Sequence, residues 1–193
     1  MKNRRTLWTA TAALAMLGLA VQITSARIDV KVDFDKNFDF KSVRTWTWAS
    51  PQPGDVKMAR TKEDDPDAMR RLAEPIILEA MNAETKRRGL EPASGAPDVV
   101  ITYYLLLSTT MSAQTMGQFL PAVSGWGLPP FEGATQSLKI MNRGSLVLDM
   151  SAKDQVIWRG LAQANLKMDA DIPERQKKLR EAVRDLLAKF PPR

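Results

Sequence analysis

Carboxylates are the side chains best placed to do chemistry in this sequence, because it contains neither histidine nor cysteine. Without imidazole or thiolate, the usual zinc and haem sites and the Ser-His and Cys-His nucleophile pairs cannot be built. Asp29, Asp33 and Asp35 alternate along one short stretch, and oxygen ligands for calcium or half of an acid–base pair would have to come from such a group. Their spacing fits no calcium loop, however. The alternation is better read as the solvated face of an edge strand, whose charges also block edge-to-edge pairing. Glu63-Asp64-Asp65-Pro66-Asp67 reads as a helix start whose acids answer the macrodipole. No catalytic residue, cofactor site or metal site is assigned.

The aromatic residues offer binding surfaces instead. Trp46 and Trp48 fall on one side of a short strand, where they either stack a ligand ring or, as such pairs more often do, pack a half-buried sheet face on a helix. Trp158-Arg159-Gly160 puts an aromatic and a cation on opposite faces of another strand, with Trp158 read as core. The strongest claim belongs to residues 108–143, a stretch too long for an ordinary loop. It carries Met111, Met116, Phe119, Leu120, Trp126 and Phe131 on a backbone rich in Gly, Pro, Ser and Gln. Methionine and aromatic side chains on such a backbone suit an adaptable partner-binding surface, and these six are its candidate contacts. The opposing reading folds the aromatics back as a satellite core.

The elements that position these groups follow from periodicity. Ile28, Val30, Val32 and Phe34 alternate with charged residues as a first strand, and Val43–Trp48 forms a second, stopped by Pro51, Pro53 and Gly54. Residues 50–65 read as polar turn. An acidic cap before Pro66 opens a helix running to about Arg88, with Met69, Leu72, Ala73, Ile76, Ile77, Ala80 and Met81 on its apolar stripe; Gly89 stops it, and Pro75 marks a kink or a later start. The run Val99–Leu107 is a central strand, and 145–150 with 156–164 form a hairpin turning at 151–154. A second amphipathic helix spans about Pro173 to Lys189, with Leu179, Val183, Leu186, Leu187 and Phe190 on one face. The expected fold is α+β, an antiparallel or mixed sheet of about five strands with two helices packed on one face, in the order β-β-α-β-β-β-α.

The first 26 residues have a different character. Lys2, Arg4 and Arg5 precede an uncharged run from Leu7 to Val21, and Thr24 and Ala26 supply the small residues of a cleavage site. The run is about 15 residues, short of the roughly 20 that span a bilayer. Residues 1–26 are therefore expected to be a secretory signal, with cleavage near Ala26 leaving one domain over 27–193 in the periplasm or otherwise outside the cytoplasm. The alternative is an uncleaved anchor. Without its three basic residues the 28 Lys and Arg fall to 25 against 22 Asp and Glu, a net charge near +3 that gives only a weak argument for nucleic acid or an anionic membrane as a target, and no nucleic-acid partner is expected.

Three segments together resemble the bacterial exported domain-of-unknown-function family 4136. They are Val32-Asp33-Phe34-Asp35 with Phe38, Phe40 and Thr45-Trp46-Thr47-Trp48; Arg88-Gly89-Leu90 with Ala96-Pro97-Asp98-Val99-Val100-Ile101-Thr102-Tyr103; and Gly144–Met150 with Ile157-Trp158-Arg159-Gly160 and the closing Lys189-Phe190-Pro191-Pro192. The resemblance implies an envelope location and a compact α/β domain, often presented as a lipoprotein, and brings no activity or catalytic residues. This chain has no cysteine to acylate, so it departs from the lipoprotein pattern.

The function expected from these features is a non-enzymatic binding or accessory module of the cell envelope, acting through the 108–143 loop and the adjacent sheet on a protein, lipid or cell-wall partner. Two other readings are a carboxylate-dependent enzyme, marked by a deep pocket holding two close acids, and a structural module that oligomerises through a sheet edge.

Overall fold

The computed structural model describes residues 27–58, 65–107, 120, 143–165 and 171–191. Their elements run β1 (Asp29–Phe34), β2 (Thr45–Trp48), β3 (Gly54–Met58), α1 (Pro66–Arg87), β4 (Glu91–Pro92), β5 (Val99–Leu107), β6 (Arg143–Ala152), β7 (Gln155–Asn165) and α2 (Ile172–Ala188), with one turn of 3-10 helix at Phe40–Ser42. The fold is α+β with two helices and a mixed sheet, and the sheet has seven strands rather than five.

The sheet order is β1-β7-β6-β5-β2-β4. β1, β7, β6 and β5 are successive antiparallel neighbours, whereas β2 and β3 both run parallel to β5. β2 pairs with residues 99–101 and β3 with 103–107, so two short strands lie end to end along one edge of β5.

β3 corrects the reading of residues 50–65 as turn. Val56 and Met58 alternate with Asp55 and Lys57 in the period of a strand, but the run is short and follows two prolines. Pairing with β5 is a main-chain interaction that needs no long apolar run. Gly54 sits opposite Tyr103, where a Cβ would collide with the tyrosine ring and carbonyl. Its missing side chain lets the strand close on the sheet.

Both helices begin as their sequences dictate. Asp65 accepts hydrogen bonds from the N–H groups of Asp67 and Ala68 ahead of Pro66, and Asp171 accepts one from Glu174. Helix α1 stays continuous through Pro75, which is exposed. It ends at Arg88 with Gly89 at φ 64°, the left-handed conformation that a glycine adopts without strain.

The helices pack together on one sheet face, α2 against β7, β1 and β6 and α1 against β3. The core lies between, built from Trp46, Ile77, Met81, Ile101, Tyr103, Leu148, Met150, Trp158, Val183 and Leu187. Trp158 is completely buried, and its ring meets Phe190 edge to face at 5.8 Å. Trp46 is buried too, with Trp48 edge-on to it at 5.5 Å and to Tyr103 at 6.4 Å. The tryptophan pair thus serves the helix-covered face, as commonly happens with such pairs.

Candidate functional site

An apolar cleft of about 250 Å³ opens between the N-terminal parts of the two helices and one end of the sheet. Met69, Ala73 and Ile76 of α1 and Leu179 and Ala182 of α2 form two walls; Met58, Leu105, Leu107, Leu146 and Ala162 form the floor. The amphipathic stripes that build the core continue into these walls, but the helices part from the sheet before the stripes end. Leu72, which helical spacing places on the buried stripe, is therefore 54% exposed, and Ile172 is 58% exposed. Both line the cleft, and they are the large hydrophobic side chains most open to solvent among the described residues.

The polar groups of the lining are one-sided. Arg175, Gln176, Lys178, Gln163 and Asn165 contribute, and no acidic residue does among the described residues. The Nζ of Lys178 is buried and has no hydrogen-bond partner among the described residues. Lys178 is not among the residues that periodicity assigns to the apolar stripe of α2.

On the opposite face of the sheet the central strands are buried as well. Arg159 donates from Nε and Nη2 to the two carboxylate oxygens of Asp149, both at 2.6 Å, and each residue is 1% exposed. Burial pushes the Asp149 carboxyl up, against the opposing pull of the guanidinium. Gln163 donates to Ser145 at 3.1 Å two steps along the same face of the ladder, and Val147 and Leu161 lie between the two pairs. Asp33 stands opposite Arg159 in the β1–β7 register and is half-buried. It therefore departs from the fully solvated face expected of the alternating acids, whereas Asp29 and Lys31 do form an exposed ion pair at 3.8 Å. The paired charges and satisfied amides make this face a structural network. The Asp149 carboxylate accepts from the Arg159 guanidinium in a fork geometry.

Two further contacts fix the sheet. The Tyr103 hydroxyl donates to Glu74 of α1 at 2.6 Å; burial, then the Glu74 carboxylate, drive its ionisation well above the ordinary phenol range. Asp98 closes the start of β5 on β2, accepting from the N–H groups of Arg44 and Thr45 at 2.9 and 2.8 Å and from the Thr45 hydroxyl at 3.0 Å. Those donors hold its carboxyl below the usual range.

Of the six candidate contacts in the 108–143 stretch, Met111, Met116, Phe119, Trp126 and Phe131 lie outside the described residues. Leu120 is described and buried. The acids gather into no metal-binding group among the described residues, and none of their helices is long and apolar enough to cross a membrane.

Fold and cleft together define an α+β domain whose mixed sheet, helix-covered on one face, ends in an apolar pocket lined, among the described residues, by Arg175 and Lys178 and by no acid. The chain belongs to the family described as a domain of unknown function (DUF4136), which its sequence matches over residues 30–192. Solved structures similar to it include a DUF4136 family protein from Bacteroides thetaiotaomicron, at 18% identity over 84% of this chain and 95% of that one, with a TM-score of 0.49. A PDZ domain protein from Parabacteroides distasonis is 14% identical over 86% of this chain and 36% of that one, with a TM-score of 0.47. The PelC dodecamer from Paraburkholderia phytofirmans is 10% identical over 86% and 100%, with a TM-score of 0.43. No curated protein matches the sequence.

Proposed function

We propose that this chain is an exported, non-enzymatic binding module of the cell envelope, and that the cleft at the helix starts is where it takes an apolar ligand. The observation that carries the reading is an open apolar cavity in which Leu72 and Ile172 remain exposed beside a lining without carboxylates among the described residues. A carboxylate enzyme would need two acids converging on such a pocket, and the described lining offers none. Edge-to-edge assembly is disfavoured by the charged β1 and by β4, which is two residues long and contains Pro92.

The 108–143 stretch belongs to the same reading as a partner surface, since Leu107 and Gly144, which flank it, both line the cleft. Export rests on the N-terminal pattern of Lys2, Arg4 and Arg5, the uncharged run and Ala26. N-terminal sequencing of the protein from an envelope fraction tests the location: Arg27 as first residue supports export and cleavage, and Met1 in a carbonate-resistant pellet contradicts it. Nile red, a neutral apolar dye, tests the site. It should bind the wild-type protein with a blue-shifted emission and lose affinity in Ala73→Trp, which fills the cleft from α1. Undiminished binding by a folded Ala73→Trp protein would place the apolar site elsewhere.

A further inference from the structure

The unpartnered amino group at Lys178 says more about the ligand than the apolar walls do. Burying a cation without a counter-charge is costly, and such groups are ordinarily paired. Lys178 Nζ is buried, lines no ion pair among the described residues, and belongs to a side chain in the cleft wall. Arg175, one turn earlier on α2, adds an exposed cation to the lining. On α2 itself Glu174 and Glu181 stand one turn to either side of Lys178, and Asp65 and Asp171 are engaged as N-caps; none of the four is among the described residues that line the cleft. The start of each helix also contributes the positive end of its dipole to this side of the molecule.

Accepting the cleft as the binding site proposed above, we infer that its ligand is a free single-chain amphiphile with an anionic headgroup, of the fatty-acid class. Its chain lies along Ala73, Ile76, Leu105, Leu146 and Ala182, and its carboxylate pairs with Lys178 near Arg175. The size of the cavity supports a single chain. A cavity of about 250 Å³ is small beside two acyl chains or a whole helix, and a short chain of the size of decanoate is of its order. Desolvating the carboxylate against an amino group already sheltered from water makes the headgroup contact charge-assisted, and so stronger than a neutral hydrogen bond.

The test is displacement of Nile red from the full-length folded protein by decanoate and by decanol, which share a chain and differ in headgroup charge. Decanoate should compete at least about tenfold more strongly, the factor expected of one hydrogen bond to a charged group. Lys178→Met, which keeps an unbranched apolar stem, should bring the two competitors to within about twofold of each other. Lys178→Arg should restore the preference. Equal competition by decanol and decanoate on the wild-type protein, or a preference that survives in Lys178→Met, overturns the anionic assignment while leaving the apolar site standing. Binding to phosphatidylglycerol vesicles without any competition by monomeric decanoate overturns it in favour of a membrane surface. Failure of the dye and of both competitors to bind would instead remove the cleft reading itself.

Discussion

Arg159 on β7 and Asp149 on β6 face each other across the hairpin and share two 2.6 Å hydrogen bonds, both side chains withdrawn from solvent. Removing either partner breaks a buried pair, and without Arg159 the Asp149 carboxylate is left as a buried charge. Asp149→Ala and Arg159→Ala should each lower stability by about 3–5 kcal/mol in urea unfolding. The double variant Asp149→Leu with Arg159→Met should recover most of that loss, because a buried pair replaced by apolar groups of similar volume is often neutral. A double variant as unstable as the singles would mean that the pair itself is strongly favourable.

Trp158→Ala should destabilise the domain by about 3–5 kcal/mol, the range for emptying a buried aromatic position. Gly160→Ala acts on the same place from the other side. A Cβ there would come within 2.5 Å of the Trp158 ring and 2.7 Å of Leu186, so a loss of about 1–3 kcal/mol is expected from overpacking. Both are measured by chemical denaturation, and a change under about 1 kcal/mol in Trp158→Ala would be at odds with its place in the core.

The chain's two tyrosines are adjacent on β5, and both resist ionisation. Tyr103 is held well above the ordinary 10.0, and burial raises Tyr104 to about 12. Their contribution to stability is therefore complete below pH 10 and declines as the pH rises from there toward the folded-state values. Alkaline titration followed by the phenolate band in the near ultraviolet should show almost no signal until the protein unfolds. An early rise at the free-phenol value in folded protein would contradict the burial of both hydroxyls.

Asp98 gives the opposite dependence. Its carboxyl is held below 3.8 by the N–H groups of Arg44 and Thr45, so its contribution is present above that value and fades as the pH falls through the lower folded one. Melting of the wild type and of Asp98→Asn should differ clearly at pH 5 and converge toward strong acid. Parallel melting curves across that range would show that the contact does not titrate with folding.

Much of this architecture is legible in the sequence because it rests on local physics. Alternating Ile28, Val30, Val32 and Phe34 make a strand with one buried face, and β1 is one, at the sheet edge. Asp65 before Pro66 opens α1 and Gly89 closes it, each through hydrogen bonding or backbone freedom within a few residues. The family likeness followed from the same local segments, and the sequence matches that family over residues 30–192. β3 escaped because its partner, β5, lies more than forty residues away in sequence, and nothing local in Gly54–Met58 records that pairing. The cleft escaped for a related reason: spacing identifies the apolar stripe of each helix but not how far along it the sheet reaches, so Leu72 looked buried.

The hairpin shows where local determination ends. Lys153 and Asp154 both adopt positive φ, 49° and 62°, and set Ala152 opposite Gln155, a two-residue turn of the kind favoured between antiparallel strands. Counting outward from that turn would bring Asp149 opposite Trp158. A bulge at Met150/Ser151 leaves Ile157 unmatched, so Trp158 meets Met150 on the helix-covered face and Arg159 meets Asp149 on the other. Residue types alone determined that β6 and β7 would pair. The one-residue shift was decided by the tertiary structure, because only packing against α2 and Phe190 on one face and charge pairing on the other make the bulged register the more stable.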